Sequence, residues 1–132
     1  MITVYDYPMA ALVDQSDIEL ILVGDSLGMV IHGCDGTVHV TLEDMLYHLK
    51  LVRRGAPNTF IVGDMPFMSY QACRETEAIH NAGILMKNGA DCVKWKEIYM
   101  QQKGAAAVVK AGIPVMGHIG LTSTDRCIFW RI

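Results

Sequence analysis

The chain has 132 residues, 52% of them hydrophobic and 19% charged, which is enough for one folded domain with a buried core and too few for two. Its formal net charge of −3 argues against a general nucleic-acid binder, because such a protein needs a basic face to neutralise phosphates. No apolar run approaches the roughly 18 residues of a membrane span and the first residues do not form a signal peptide, so we expect a cytoplasmic protein with its cysteines reduced.

Short apolar runs alternate along the chain with longer amphipathic stretches. The predicted strands are residues 2–6, 20–25, 60–64, 92–95 and 115–120. Helices are predicted between them, at residues 8–13, 41–54, about 72–87 and about 101–110. Thr41 and Asp44 have the spacing of a capping box at the start of the second helix. The repetition of strand, helix and strand predicts parallel strands joined by right-handed crossovers.

The number of predicted strands limits the architecture. A complete (β/α)8 barrel needs eight strands and about 250 residues, whereas only five strands are predicted here. We therefore expect an α/β fold, either a partial TIM barrel of about the first four to five βα units or a compact open sheet of five strands.

Two aspartates follow near-identical apolar runs, Asp25 after Leu-Val-Gly and Asp64 after Ile-Val-Gly. Ligands bind at the carboxyl ends of parallel strands in both architectures. If the two strands are neighbours, the carboxylates would repel each other, and Mg2+ would relieve the repulsion because it prefers carboxylate oxygens. Each aspartate could instead cap the segment that follows it. The pattern alone leaves both interpretations open.

Two further polar residues end predicted strands. Lys94 lies in an apolar run, where it could bind a substrate carboxylate or extend its ammonium to the rim of the sheet. His118 could hydrogen-bond a substrate or serve a structural role. The glycines around Asp25 lack the pattern of a nucleotide-binding loop, so a nucleotide site is not predicted.

Five sequence blocks carry a resemblance to a known family. They are TVYDY at residues 3–7, GDSLGM at residues 24–29, RRGAP at residues 53–57, DMPFMSY at residues 64–70 and GHIGLT at residues 117–122. In this order and spacing they resemble the ketopantoate hydroxymethyltransferase family. The resemblance implies that residues 1–122 are the N-terminal half of a TIM barrel and that residues 123–132 are a divergent tail.

The resemblance also implies a reaction of pantothenate biosynthesis. The family transfers a hydroxymethyl group from 5,10-methylenetetrahydrofolate to 3-methyl-2-oxobutanoate, a small 2-oxo acid, and gives 2-dehydropantoate. By position, Asp25 and Asp64 resemble the Mg2+ ligands, and Ser26 and Lys94 join them as substrate contacts. His118 resembles a further active-site group that could be catalytic. In the implied mechanism Mg2+ chelates the 2-oxo acid and stabilises its enolate, and members of the family are homo-oligomers.

The sequence departs from the family at one site position. Lys96 stands where the family carries an acid near the metal, and Glu97 comes one residue later. A shift of one residue in a strand turns a side chain to the other face unless a bulge intervenes. The family's catalytic base is expected in the half of the barrel that this chain lacks.

Three functional hypotheses follow. The chain could be an incomplete or inactive fragment of the hydroxymethyltransferase, or a non-catalytic half-barrel that associates with itself or with a partner. It could also be a Mg2+-dependent enzyme of the related phosphoenolpyruvate mutase and isocitrate lyase group.

Overall fold

The computed structural model describes residues 1–71, 74–96 and 102–120, and strands and helices alternate along these residues. In chain order they are β1 (Ile2–Thr3), α1 (Tyr7–Val13), β2 (Leu20–Val23), α2 (Leu27–Val30), α3 (Leu42–Gly55), β3 (Phe60–Asp64), α4 (Glu75–Lys87), β4 (Cys92–Lys96), α5 (Gln102–Lys110) and β5 (Val115–His118). None of the described helices is long and apolar enough to cross a membrane.

The strands form one parallel sheet in the order β1-β2-β3-β4-β5. Each strand thus pairs with its neighbours in sequence, as in a barrel, whereas the order reverses at a switch point in doubly wound open sheets. The prediction of an α/β fold corresponding to part of a (β/α)8 barrel is confirmed.

The core lies between one face of the sheet and the helices. Side chains alternate between the two faces of a strand, and those that point toward the helices are fully buried. They are Ile21, Val23, Ile61, Val93 and Trp95, which join Met45, Leu49 and Val52 of α3 and Ala82 and Leu85 of α4 in one cluster. The apolar strand face therefore explains why the sheet and its helices fold together.

Helices α1 and α3 pack at close range because Gly55 ends α3 without a side chain. A Cβ atom at this position would lie 2.5 Å from the carbonyl oxygen of Tyr7 and 2.8 Å from Cβ of Ala10. Any other residue at position 55 would force the first helix away from the third.

Four of the five strands differ from their predicted bounds. The second ends at Val23 rather than at residue 25, and the fifth ends at His118 rather than at residue 120. The first ends at Thr3 rather than at residue 6, because the carboxylate of Asp6 accepts a hydrogen bond from the backbone N–H of Met9 and caps α1. The fourth extends one residue beyond the prediction and includes Lys96. Strand alternation therefore places the side chains of Lys94 and Lys96 on the same face.

The helix predictions hold with one omission. The capping box of Thr41 and Asp44 forms at the start of α3, as predicted. The short helix α2 was not predicted, and its N-terminal residue Ser26 makes no side-chain capping bond. Residues 72–73, at the predicted start of the third long helix, lie outside the described residues.

Candidate active site at the carboxyl ends of β2, β3 and β4

The sheet register brings four charged residues together at the carboxyl ends of three strands. Asp64, the last residue of β3, pairs with Lys94 of β4. Lys96 lies two residues further along β4 on the same face, and Asp25 comes two residues after the end of β2. The two strands that precede the aspartates are neighbours, so the condition for repulsion between the two carboxylates is met.

The ammonium group of Lys96 lies between the two carboxylates. Its Nζ atom is 2.5 Å from Oδ2 of Asp25 and 3.1 Å from Oδ2 of Asp64. The side chains of Lys96, Asp25 and Asp64 are only 7%, 6% and 2% exposed. The backbone N–H of Asp25 also donates to Oδ2 of Asp64, at 3.3 Å. Lys96, which sequence reasoning noted only as a departure, is thus the central residue of the cluster.

The ammonium group of Lys94 lies farther from Asp64 than that of Lys96 does. Nζ of Lys94 lies 3.7 Å from Oδ2 of Asp64, beyond hydrogen-bond distance, and its side chain is 13% exposed. The Lys94 ammonium is therefore balanced by a nearby carboxylate but retains donors for a ligand.

Burial dominates the electrostatics of Asp64. Removal from water raises the pKa of this carboxyl, and the neighbouring charge of Asp25 raises it further, while the ammonium groups of Lys96 and Lys94 act in the opposite direction. Its Oδ1 atom is buried and has no hydrogen-bond partner among the described residues. An acceptor left in this state is costly in a protein interior, so this oxygen is available to a ligand.

Ser26 is held by a residue that sequence reasoning did not select. The hydroxyl groups of Tyr5 and Ser26 are 2.8 Å apart, and Nδ1 of His48 lies 2.7 Å from the carbonyl oxygen of Tyr5. Tyr5 follows β1, whereas Ser26 follows β2, so the contact joins two neighbouring strand ends. The two residues are 21 positions apart in sequence, and no local pattern predicts their contact.

His118 ends β5 and pairs in register with Lys96. Residues paired in a parallel ladder extend from the same face of the sheet. The half-buried His118 therefore belongs to the face that carries Lys94 and Lys96, one strand away from these lysines and two strands away from Asp64.

A divalent metal at Asp25 and Asp64, as the family resemblance implies, can be tested against these contacts. The two carboxylates have the right chemistry for Mg2+, but the Lys96 ammonium already contacts an oxygen of each. Within the described ranges, no group of three or more His, Cys, Asp or Glu residues could hold a metal ion. The arrangement does not fit Mg2+, and Glu97 lies outside the described residues.

The chain matches the family model for ketopantoate hydroxymethyltransferase over residues 1–127. It is 58% identical over 123 residues to the 3-methyl-2-oxobutanoate hydroxymethyltransferase of Heliobacterium modesticaldum and 55% identical over 123 residues to that of Geobacillus thermodenitrificans. Each alignment covers 92% of this chain and 44% of the relative. The chain therefore spans less than half the length of these curated relatives.

Solved structures of other enzymes share the fold. A phosphonopyruvate hydrolase, solved with oxalate and Mg2+, superimposes with a TM-score of 0.71 at 10% identity and covers 88% of this chain and 45% of that protein. A 2,3-dimethylmalate lyase of the PEP mutase/isocitrate lyase superfamily gives 0.66 at 16% identity, with 88% and 46% covered. These identities support a common fold and do not transfer an activity. On the match over residues 1–127, the chain belongs to the ketopantoate hydroxymethyltransferase family.

Proposed function

We propose that the complete protein transfers a hydroxymethyl group from 5,10-methylenetetrahydrofolate to 3-methyl-2-oxobutanoate, and that this chain supplies the surface that binds the 2-oxo acid. The curated relatives carry the name of this activity. The single observation that carries the binding proposal is the meeting of Lys94, Lys96, Asp25 and Asp64 at the carboxyl ends of adjacent barrel strands.

The charges of the cluster suit an anionic substrate. The partly exposed Lys94 ammonium, 3.7 Å from Asp64, has donors left to bind the substrate carboxylate. The hydroxyl group of Ser26 is a neighbouring donor that would bind the oxo oxygen and orient the rest of the molecule. A carboxylic acid with an adjacent oxo group is the ligand class that these groups fit best.

The reaction requires a base and a stabilised enolate. The base removes the C3 proton, and the resulting carbanion forms a bond to the one-carbon unit. Both carbon–nitrogen bonds that hold this carbon to N5 and N10 of the folate break, water supplies the hydroxyl group, and the two nitrogens take up the proton from C3 and the remaining proton of the water. Buried ammonium groups favour the negative charge that develops on the oxo oxygen. His118, in register with Lys96, is the candidate base among the described residues, and we expect a further base in the second half of the barrel, as the family resemblance implies.

Mg2+ is the remaining part of the family's chemistry. In the family's chemistry, as the resemblance implies, Mg2+ stabilises the enolate as a Lewis acid, with ligands at the positions of Asp25 and Asp64. The Lys96 ammonium contacts both carboxylates in this chain, so we propose no step that uses Mg2+ here.

Calorimetric titration with 3-methyl-2-oxobutanoate tests the binding proposal. We expect saturable binding that Lys94→Gln weakens roughly tenfold or more, because a charged hydrogen bond is lost. Lys50→Gln, an exposed lysine of α3, is the matched control and should leave the affinity unchanged. Titration with 3-methylbutanoate, which lacks the oxo group, measures its contribution. Equal affinity in the Lys94 and Lys50 variants would contradict the proposal.

Exchange of the C3 proton for deuterium separates enolisation from binding. We expect any exchange above the solvent rate to be reduced in His118→Gln, because His118 is the candidate base. Binding without exchange would assign this chain to substrate binding alone, with the base supplied by the rest of the barrel.

A second candidate function is association through the open edges of the half-barrel. Within the described part of the chain, β1 pairs only with β2 and β5 only with β4, and unpaired strand edges promote association. The occupant could be a second copy or the remaining barrel half. A single monomeric species in light scattering would exclude self-association.

A further inference from the structure

The position of one ammonium group decides whether the candidate site can hold a metal. We propose that Lys96 takes the place of a divalent cation between Asp25 and Asp64, so that this chain binds no divalent metal at the strand ends. The proposal concerns the same residues as the proposed function, but it does not depend on the identity of the substrate.

The contacts of the carboxylate oxygens carry the first step. Both Oδ2 atoms contact the same Nζ, at 2.5 Å for Asp25 and 3.1 Å for Asp64. Mg2+ binds oxygens at about 2.0–2.1 Å with near-octahedral geometry. An ion that used these two oxygens would therefore have to displace the ammonium from between them.

Burial makes it unfavourable to displace the Lys96 ammonium. The Lys96 side chain is 7% exposed and ends in contact with two carboxylates that are 6% and 2% exposed. A displaced ammonium would remain close to the ion unless the strand end rearranged. A buried charge that loses its partners is strongly unfavourable, so the lysine and the metal compete for one position.

The charges carry the third step. Two carboxylates, Asp25 and Asp64, face two ammonium groups, Lys94 and Lys96, so the formal charge of the cluster is already zero. A divalent ion would raise it to +2 in a site that water hardly reaches. In proteins, metal affinity rises with the number of negatively charged ligands. Here the charges of Lys94 and Lys96 cancel those of the two aspartates, so the cluster has no net negative charge to attract the ion.

Position 96 consequently acts as the determinant of metal binding. A carboxylate introduced by Lys96→Glu would replace the blocking charge with a third acidic ligand at the same strand position. The exchange of this one residue should convert a metal-free cluster into a divalent metal site, with no change in the backbone of β4.

Titration of the purified chain with Mn2+, with the free ion followed by electron paramagnetic resonance and no substrate present, tests the proposal. We expect no stoichiometric binding by the unmodified chain. Lys96→Glu should bind one ion, with an affinity at least roughly 100-fold tighter, and adding Asp64→Asn to it should abolish the binding. Lys94→Glu introduces the acid at position 94 instead, where the lysine lies 3.7 Å from Asp64, and we expect a much smaller gain in Mn2+ affinity.

Lys96→Gln keeps the test decisive if the glutamate variant does not fold. This change removes the blocking ammonium without adding a charge, and it should give measurable Mn2+ binding where the unmodified chain gives none. One bound ion in the unmodified chain that is lost in Asp25→Asn would overturn the proposal. Folded Lys96→Gln and Lys96→Glu variants that bind no more metal than the unmodified chain would overturn it as well. Because no substrate is present in this experiment, neither result bears on the proposed binding of the 2-oxo acid, which the calorimetric titration tests separately.

Discussion

Two ion-pair networks lie at opposite ends of the same sheet, and they differ in what their polar groups contact. At the amino ends of β3 and β4, Arg53 pairs with Asp91, which also accepts a hydrogen bond from the backbone N–H of Ile61. The remaining guanidinium donors bind four backbone carbonyl groups, those of Ala56, Pro57, Thr59 and Gly89. All of these contacts therefore join parts of the chain to one another.

The network at the carboxyl ends is built differently. Lys96, Asp25 and Asp64 contact one another through side chains, and a single backbone N–H takes part. One oxygen of Asp64 has no partner in the described chain, and Lys94 lies beyond hydrogen-bond distance. A network whose donors bind the backbone of its own chain stabilises a fold, whereas a buried network with unused donors and acceptors has the properties of a binding site.

The largest expected effect on stability comes from removing the bridging charge. Lys96→Met leaves two buried carboxylates without the ammonium group that lies between them, and we expect the free energy of unfolding to fall by about 3 kcal/mol or more at neutral pH. Urea denaturation measures this change. Lys94→Met is the control, because its ammonium is farther from Asp64, and it should cost less than half as much. Equal losses in the two variants would contradict the central position of Lys96.

Substitutions in the network of Arg53 and Asp91 should lower the stability of the fold without any effect on substrate binding. Arg53→Met removes the pairing with Asp91 and the bonds to the backbone carbonyls, and we expect a loss of about 2 kcal/mol in unfolding free energy. Arg53→Lys keeps the charge but not the planar group of donors, so it should recover less than half of the loss.

Arg54→Met, on the exposed side of the same helix turn, should cost little. The affinity for the 2-oxo acid should be the same in all three of these arginine variants. A change in that affinity with Arg53→Met would contradict the separation of the two networks.

The smallest effect is expected at a surface cap with no part in either network. Hydrogen bonds from the backbone and side chain of Thr41 hold the pKa of Asp44 below its ordinary value. The stabilisation from this carboxylate is therefore present above the ordinary carboxyl pKa and is lost as the pH falls through the lowered value. Asp44→Asn should cost about 1 kcal/mol or less at neutral pH and flatten the acid side of the stability profile.

Unfolding free energies measured from about pH 2 to pH 6 test the Asp44 prediction. Asp35→Asn, in an exposed loop, is the control. An unchanged acid profile in Asp44→Asn would mean that the capping box does not contribute to stability.

Much of the fold was predictable because the strands and helices are determined by local composition. The runs that became β2 to β5 are apolar on both faces or nearly so, as buried parallel strands require. The errors fall at strand ends, where a single polar contact decides the boundary. Asp6, predicted as the end of the first strand, caps α1 instead.

The candidate site was only partly predictable. The nearness of Asp25 and Asp64 follows from the repeated Val-Gly-Asp pattern once β2 and β3 pair. The bridging contact of Lys96 does not follow, because it depends on the register of β4 and on a strand that continues one residue beyond its predicted end. Contacts between residues far apart in sequence, such as Tyr5 with Ser26, leave no local trace.

We propose that the strand-end cluster binds a 2-oxo acid, and that Lys96, in place of a divalent metal ion, is the cation between Asp25 and Asp64. The most direct test is the affinity for 3-methyl-2-oxobutanoate, measured once with a metal chelator and once with saturating Mg2+. We expect binding with the same affinity, within about twofold, in both conditions. Binding that appears only with Mg2+, or no binding in either condition, would contradict it.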